Sequence, residues 1–88
     1  MRESKVEAAL VKRVKTLGGK CEKFTSPANR AVPDRLVTLP GNKVIFVECK
    51  APGKVPTKLQ EKDHRERRAL GCDVRVIDTV EAANAFTG

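Results

Sequence analysis

Apolar residues recur along the chain with two different spacings, one typical of helices and one of strands. The first pattern has four members at helical spacing, Val6, Leu10, Val14 and Leu17. Ser4 lies where a helix cap is expected, and the pair Gly18–Gly19 ends the pattern. The sequence therefore predicts an opening helix from Ser4 to about Leu17, with one apolar stripe that faces the rest of the fold.

Strand-like and helical segments then follow in an order that defines the fold class. The predicted strands are residues 20–25, 34–39, 43–50 and 73–78, and the predicted later helices are residues 57–70 and 80–86. Thr57 begins the second helix and Gly71 ends it. The order is helix, three strands, helix, strand and short helix, which predicts a mixed α/β fold in a single domain spanning residues 1–88.

The turn between the second and third strands decides which side chains meet. A three-residue loop of Pro40, Gly41 and Asn42 would pair Asp34 with Glu48, with Cβ atoms roughly 5 Å apart. Alternation along the strand then places Lys50 on the same face. A two-residue loop is equally allowed, and it would pair Arg35 with Glu48 and move Asp34 to the other face.

In the first register, two carboxylates and an ammonium group converge. Two like charges at that distance repel by about 1 kcal/mol in water and about 4 kcal/mol at a partly screened site, so a cation is expected between them. Oxygen ligands suit Mg²⁺ or Mn²⁺. The alternative is an ordinary solvated ion pair. Against it, the strand from Lys43 to Cys49 is apolar on both faces, as central strands are, and charges at the tip of such a strand usually mark a site.

Several fragments of the chain, in this order and spacing, resemble one nuclease family. They are an opening helix with Glu7, Val32-Pro33-Asp34-Arg35, Val47-Glu48-Cys49-Lys50-Ala51-Pro52-Gly53, Pro56-Thr57-Lys58-Leu59-Gln60, Leu70-Gly71-Cys72-Asp73-Val74 and Val76-Ile77-Asp78. A Pro-Asp pair followed by Glu-x-Lys at the end of the next strand is the signature of the PD-(D/E)XK nucleases. The surrounding residues resemble the VRR-NUC branch, which is found in phages and in DNA-repair proteins.

The resemblance implies a restriction-endonuclease-like core around a central mixed four-stranded sheet. It also implies a metal-dependent, structure-specific DNA endonuclease that hydrolyses phosphodiester bonds in branched DNA such as Holliday junctions. The implied catalytic residues are Asp34, Glu48, Lys50, Gln60 and Glu7. The implied metal ligands are Asp34, Glu48, the backbone carbonyl of Cys49 and, in addition, Glu7. The alternatives are a non-catalytic, basic DNA-binding module on the same scaffold and a nuclease of linear duplex DNA.

Glu7 and Gln60 each have a second interpretation. Each residue lies three positions after a plausible cap, in Ser4-x-x-Glu7 and in Thr57-x-x-Gln60, and both segments fit the capping box. The resemblance implies instead that Glu7 reaches the cation and that Gln60 lines the site.

The charge of the chain favours a polyanionic partner. Eighteen Lys and Arg against eleven Asp and Glu give a formal charge of +7, which is typical of DNA-binding proteins but also of soluble basic proteins in general. The predicted DNA-binding residues are Arg30, Arg35, Lys58, Lys62 and Arg65, the last three forming a stripe on the second helix. His64 on that helix is expected to be exposed. A chain of 88 residues buries a marginal core, so a homodimer is expected as well.

Cysteine spacing and hydropathy exclude other classes. The three cysteines, Cys21, Cys49 and Cys72, show neither zinc-ligand spacing nor a paired disulfide framework, which indicates reduced thiols. We expect the Cys49 sulfur to pack in the core. Since no apolar run is long enough to span a bilayer, neither a membrane partner nor a signal peptide is expected. The predicted location is the cytoplasm, that of the bacterial host if a phage encodes the protein, and no small-molecule cofactor is predicted.

Overall fold

A computed structural model describes residues 2–88 as three helices and one four-stranded sheet. The helices are α1 (Glu3–Thr16), α2 (Lys58–Ala69) and α3 (Val80–Asn84), and the strands are β1 (Lys20–Lys23), β2 (Arg35–Leu39), β3 (Lys43–Cys49) and β4 (Asp73–Ile77). The strands lie in the order β1-β2-β3-β4. The first three are antiparallel, and β4 runs parallel to β3 after the crossover through α2. The predicted mixed α/β fold and its order of elements are confirmed.

The β2–β3 hairpin has the register of the three-residue loop. Leu39 lies opposite Lys43 and Arg35 lies opposite Val47. The loop closes because Gly41 and Asn42 have φ values of 86° and 62°, in the left-handed region that glycine adopts freely and asparagine tolerates. The two-residue alternative, which would pair Arg35 with Glu48, is thereby excluded.

One face of the sheet packs against α1 and α3. The buried cluster contains Val6, Leu10 and Val14 of α1, the alternate strand residues Val37, Leu39, Ile45, Val47, Cys49 and Ile77, and Ala83 and Phe86 at the C-terminal end. Leu10 is completely buried, and burial of such a side chain contributes about 1.5–3 kcal/mol. As predicted, the Cys49 sulfur belongs to this core.

The opposite face of the sheet is covered by α2 through polar contacts. The Arg67 guanidinium lies 5.4 Å from the centroid of the Phe24 ring and 4.8 Å from that of Phe46. Arg68 donates a 2.8 Å hydrogen bond to the Val74 carbonyl of β4. The helix therefore packs without an apolar stripe, and its Leu59 side chain is 70% exposed.

Several predicted boundaries differ from the structure. The N-cap of α1 is Arg2, not Ser4, and within the described chain its side chain makes no capping hydrogen bond. Instead the Arg2 carbonyl accepts the first helical hydrogen bond from Lys5, and Glu3 lies in the first turn, where the helix dipole favours an acidic side chain. α1 ends at Thr16, one residue before the predicted Leu17, and β1 ends at Lys23, before the predicted residue 25.

The three helices are short or polar. Among residues 2–88, none has the length and apolar character that crossing a membrane requires.

Candidate active site

Five chain segments meet at one edge of the sheet: the start of α1, the loop of residues 24–32, the residue before β2, the end of β3 and the first turn of α2. They enclose a cleft of about 380 Å³, whose charged or amide-bearing lining residues are Glu3, Asn29, Arg30, Asp34, Glu48, Lys50 and Gln60. A larger hollow of about 520 Å³ lies at the opposite end of β3, but the charged side chains that line it are Lys43 and Asp73. The concentration of reactive groups therefore marks the smaller cleft as the candidate site.

Asp34 is fixed in this cleft by the backbone of β3. Continuing the observed register by one position places it opposite Glu48, and both residues line the same cleft. The N–H of Cys49 lies 3.1 Å and 3.3 Å from the two carboxylate oxygens of Asp34 and donates to them. Burial raises the pKa of Asp34 to about 6, although the hydrogen bond from Cys49 acts in the opposite direction.

Glu48 is the most buried acidic side chain of the site, with 3% of the residue exposed. Its Oε2 atom lies 3.9 Å from Lys50 Nζ and 3.5 Å from Gln60 Nε2, and its Oε1 atom lies 3.8 Å from His64 Nε2. Burial, and after it the charge of Asp34, raises the pKa of Glu48 to about 8, while Lys50 lowers it. The two carboxylates thus take up protons more readily than free carboxylates do, and a cation could replace those protons.

Two acidic residues of α1 complete the acidic side of the cleft. Glu3, Glu7 and Asp34 each offer an oxygen atom, and these atoms lie within 4.8 Å of one another. Glu7 also accepts a 3.2 Å hydrogen bond from Arg35 Nε. The predicted capping box between Ser4 and Glu7 does not form, since α1 begins before Ser4. Glu7 is therefore not held as a helix cap, and its contact with a cation stays a prediction.

Glu3 was missed by the sequence reasoning. It is an exposed residue that lines the cleft one helical turn before Glu7. Residues four positions apart in a helix share a face, so the Glu3–Glu7 spacing was the signal that could have revealed it.

Gln60 forms the predicted capping box and also lines the cleft, while its catalytic role stays a prediction. Its Oε1 atom accepts a 2.9 Å hydrogen bond from the Thr57 N–H, and its own N–H donates to Thr57 Oγ1 at 3.2 Å, which forms the capping box. Its Nε2 atom donates a long, 3.5 Å hydrogen bond to Glu48 Oε2. The cap consequently fixes the amide with its donor end directed into the cleft.

His64 contradicts the prediction that it would be exposed. It lies one turn after Gln60, on the face of α2 that covers the sheet, and is 2% exposed. Burial lowers the pKa of its imidazole, and the neighbouring Arg68 lowers it further. Because α2 is mostly polar, it has no apolar stripe from which the burial of His64 could be predicted.

The predicted DNA-binding residues lie in different environments. Arg30 is exposed and lines the cleft, and Lys58, Lys62 and Arg65 are exposed on α2. Arg35 is the exception, because its side chain is 13% exposed and forms an ion pair with Glu7. A phosphate would have to compete with Glu7 for this guanidinium.

Cys49 contributes its backbone rather than its thiol to the site. Burial raises the pKa of its thiol, which therefore stays protonated and inert in the core. Its N–H holds Asp34, and the involvement of its carbonyl with a cation stays a prediction. All three cysteines are free thiols.

The cleft has the donor set that hard divalent cations prefer. Carboxylate oxygens of Asp34, Glu7 and Glu3 lie close enough together to hold such an ion, and Glu48 and Lys50 line the same cleft as Asp34. An ion at this position would have oxygen ligands on one side and open cleft on the other, where an anionic substrate could approach.

Comparison with known proteins agrees with this geometry. No family model matches the sequence. The chain is 49% identical over 84 residues to the protein named "Putative nuclease p44" of Acyrthosiphon pisum secondary endosymbiont phage 1, and the match covers 96% of the chain and 90% of that relative. It also superposes on a solved VRR_NUC domain with a TM-score of 0.89 and 28% identity, over 94% of the chain and 90% of that structure. The resemblance read from the sequence is confirmed: the chain belongs to the VRR-NUC family of nucleases.

Proposed function

We propose that the protein is a divalent-metal-dependent endonuclease that hydrolyses phosphodiester bonds in branched DNA, such as Holliday junctions. The observation that carries this proposal is the pairing of Asp34 and Glu48 in one cleft, with the pKa of each carboxyl raised and Lys50 beside them. Membership of a nuclease family supports hydrolysis of nucleic acid as the reaction.

Asp34 and Glu48 Oε2 would hold Mg²⁺ or Mn²⁺, with Glu7 and Glu3 close enough to act directly or through water. The backbone carbonyl of Cys49 is a further proposed ligand. A cation bound here would lower the pKa of a bound water and polarise a phosphate oxygen. The Cys49 N–H keeps Asp34 in place for this role, because it engages the carboxylate from the protein side.

Lys50 and Gln60 would act on the substrate side of the carboxylates. The Lys50 side chain is 15% exposed, so its ammonium charge is only partly screened by solvent. Its ammonium group would donate a hydrogen bond that orients the attacking water, and its charge would offset the negative charge that builds up on the phosphate in the transition state. The Gln60 amide, fixed by the helix cap, would orient the phosphate.

Exposed basic side chains beside the cleft would bind the DNA backbone. Arg30 borders the cleft and also a neighbouring groove of about 340 Å³, which Lys62 lines as well. Lys58 and Arg65 extend this basic surface along α2. Contacts of this kind fix the position of the duplex without reading its sequence, which suits an enzyme that recognises DNA shape.

A symmetric homodimer is the proposed active form. A chain of this size buries only about 60% of the surface that its unfolded form exposes, so association with a second copy would stabilise it. Two cleft openings related by a two-fold axis would match the approximate two-fold symmetry of a four-way junction.

The substrate proposal predicts a defined cleavage pattern. Labelled four-way junction, flap and linear duplex are incubated with the protein in Mg²⁺, Mn²⁺ or EDTA, and the products are separated on denaturing gels. We expect paired nicks in the four-way junction with either metal and none in EDTA, because the carboxylates need a cation to activate water. Binding without any product would favour a non-catalytic module, and preferential cutting of linear duplex at one sequence would favour a restriction-like nuclease.

Substitution of Lys50 tests the chemistry of the site. We expect Lys50→Ala to lower the single-turnover cleavage rate by about 10²–10³-fold, the usual effect of removing one preorganised electrostatic group, while the Kd for junction DNA changes by less than about threefold. Lys54→Ala is the matched control, since Lys54 is an exposed lysine four residues further along the chain. Equal loss of rate in both variants, or none in Lys50→Ala, would contradict the proposed role.

Metal binding should release protons. With pKa values of about 6 for Asp34 and about 8 for Glu48, Asp34 is mostly ionised at pH 7 and Glu48 mostly protonated. A cation requires both in the ionised form, so binding at pH 7 should expel about one proton, and affinity should rise as the pH increases from 6 to 8. Calorimetric titration with Mn²⁺ in two buffers of different ionisation enthalpy measures this proton. Identical heats in both buffers would show that Glu48 is already ionised or takes no part.

A further inference from the structure

His64 lies beside Glu48 and is not among the residues that line the cleft. Its Nε2 atom is 3.8 Å from Glu48 Oε1, and among residues 2–88 neither of these two buried atoms has a hydrogen-bond partner. Leaving a buried donor or acceptor unpaired costs about 1–3 kcal/mol. Two complementary unpaired atoms that face each other, about an ångström beyond hydrogen-bond distance, indicate a contact that forms in another state of the protein.

The position of His64 is fixed by the contacts of its helix. The capping box holds the first turn of α2. Asp63 accepts a 3.0 Å hydrogen bond from Asn29 and a 2.7 Å hydrogen bond from Arg67, and Arg68 binds the carbonyl of Val74. Since α2 is tied to both the loop before β2 and the sheet, the imidazole has little freedom to move.

The carboxylate of Glu48 is the more mobile of the two partners. The last torsion of a glutamate side chain has a broad energy minimum, so the carboxylate can turn at little cost. In the structure its Oε2 atom faces Lys50 and Gln60 in the cleft, and its Oε1 atom faces His64. A ligand that draws Oε2 into the cleft would fix the rotation of the whole group.

We propose that His64 is a positioning residue, whose Nε2–H donates to Glu48 Oε1 when a divalent cation is bound at Oε2. The inference rests on the proposed function, because it needs a cation in the cleft. The donor–acceptor distance must shorten to about 2.7–3.2 Å, and histidine can donate from Nε2 both as the neutral imidazole and as the imidazolium. Carboxylates that bind metals are commonly held by a hydrogen bond on their second oxygen, and loss of that bond typically weakens metal binding 10–100-fold.

A purely structural role for His64 makes a different prediction. If the side chain only fills space beside Glu48, an apolar residue of similar size should leave metal affinity unchanged. If His64 only stabilises the fold, the variants His64→Gln and His64→Leu should differ in their free energy of unfolding but not in their affinity for the metal. Metal affinity compared between a donor-retaining and a donor-free variant therefore separates positioning from packing.

The test measures Mn²⁺ affinity from the electron paramagnetic resonance signal of free Mn²⁺, in the wild type, His64→Gln, His64→Leu and Asp34→Asn. Glutamine can place an N–H donor near the position of Nε2, whereas leucine cannot. We expect His64→Leu to bind Mn²⁺ 10–100-fold more weakly than the wild type and His64→Gln to stay within about threefold. Equal affinities for His64→Leu and the wild type, or equal weakening in both His64 variants, would overturn the positioning role.

Asp34→Asn separates this inference from the proposed function. If the wild type binds Mn²⁺ and Asp34→Asn does not, the site is confirmed and the His64 variants decide the inference alone. If the wild type fails to bind Mn²⁺, the proposed function and the inference are overturned together.

A measurement on the wild type keeps the inference testable even if His64→Leu does not fold. Nuclear magnetic resonance of protein labelled with ¹⁵N at histidine follows the Nε2–H of His64, the one histidine in the chain. Addition of Mg²⁺ should shift this proton downfield and slow its exchange with water, as a new hydrogen bond forms. Saturation with Mg²⁺ without such a change would overturn the proposal.

Discussion

The register of the β2–β3 hairpin is the constraint on which the candidate site depends. Because three residues form the turn, Asp34 lies opposite Glu48, and the N–H of Cys49 holds the Asp34 carboxylate. A shift of one residue would send Asp34 to the opposite face of the sheet and leave Glu48 facing α2 alone. The turn residues Gly41 and Asn42 thus control the chemistry at the far end of both strands.

Burial of the paired acids then creates a need for positive charge. Burial raises the pKa of both Asp34 and Glu48, because an ionised carboxylate loses hydration there, and a nearby cation would offset that loss. Lys50 supplies part of this charge, and its contact with Glu48 is long at 3.9 Å. We propose that an additional cation supplies the rest, while the basic surface around Arg30 favours a polyanion above the cleft.

Sequence patterns predicted those features that depend on local spacing. The Thr57–Gln60 cap and the buried sulfur of Cys49 follow from capping chemistry and strand alternation. For the hairpin, the turn residues allowed both a two-residue and a three-residue loop, and the structure has the three-residue register. The burial of His64 could not be predicted, because α2 packs through Arg67 and Arg68 and shows no apolar stripe that would mark its inner face. Glu3 was missed because Ser4 is a good capping residue, and a helix beginning there would have left Glu3 outside it.

The most direct test of a cation between Asp34 and Glu48 is a crystal structure of the protein grown with Mn²⁺, with anomalous diffraction used to locate the metal. We expect an anomalous peak within about 2.0–2.4 Å of one oxygen of each carboxylate, which is the range of oxygen distances around small divalent cations. A fully occupied Mn²⁺ bound elsewhere on the molecule, with these two carboxylates free of metal, would contradict the proposed site.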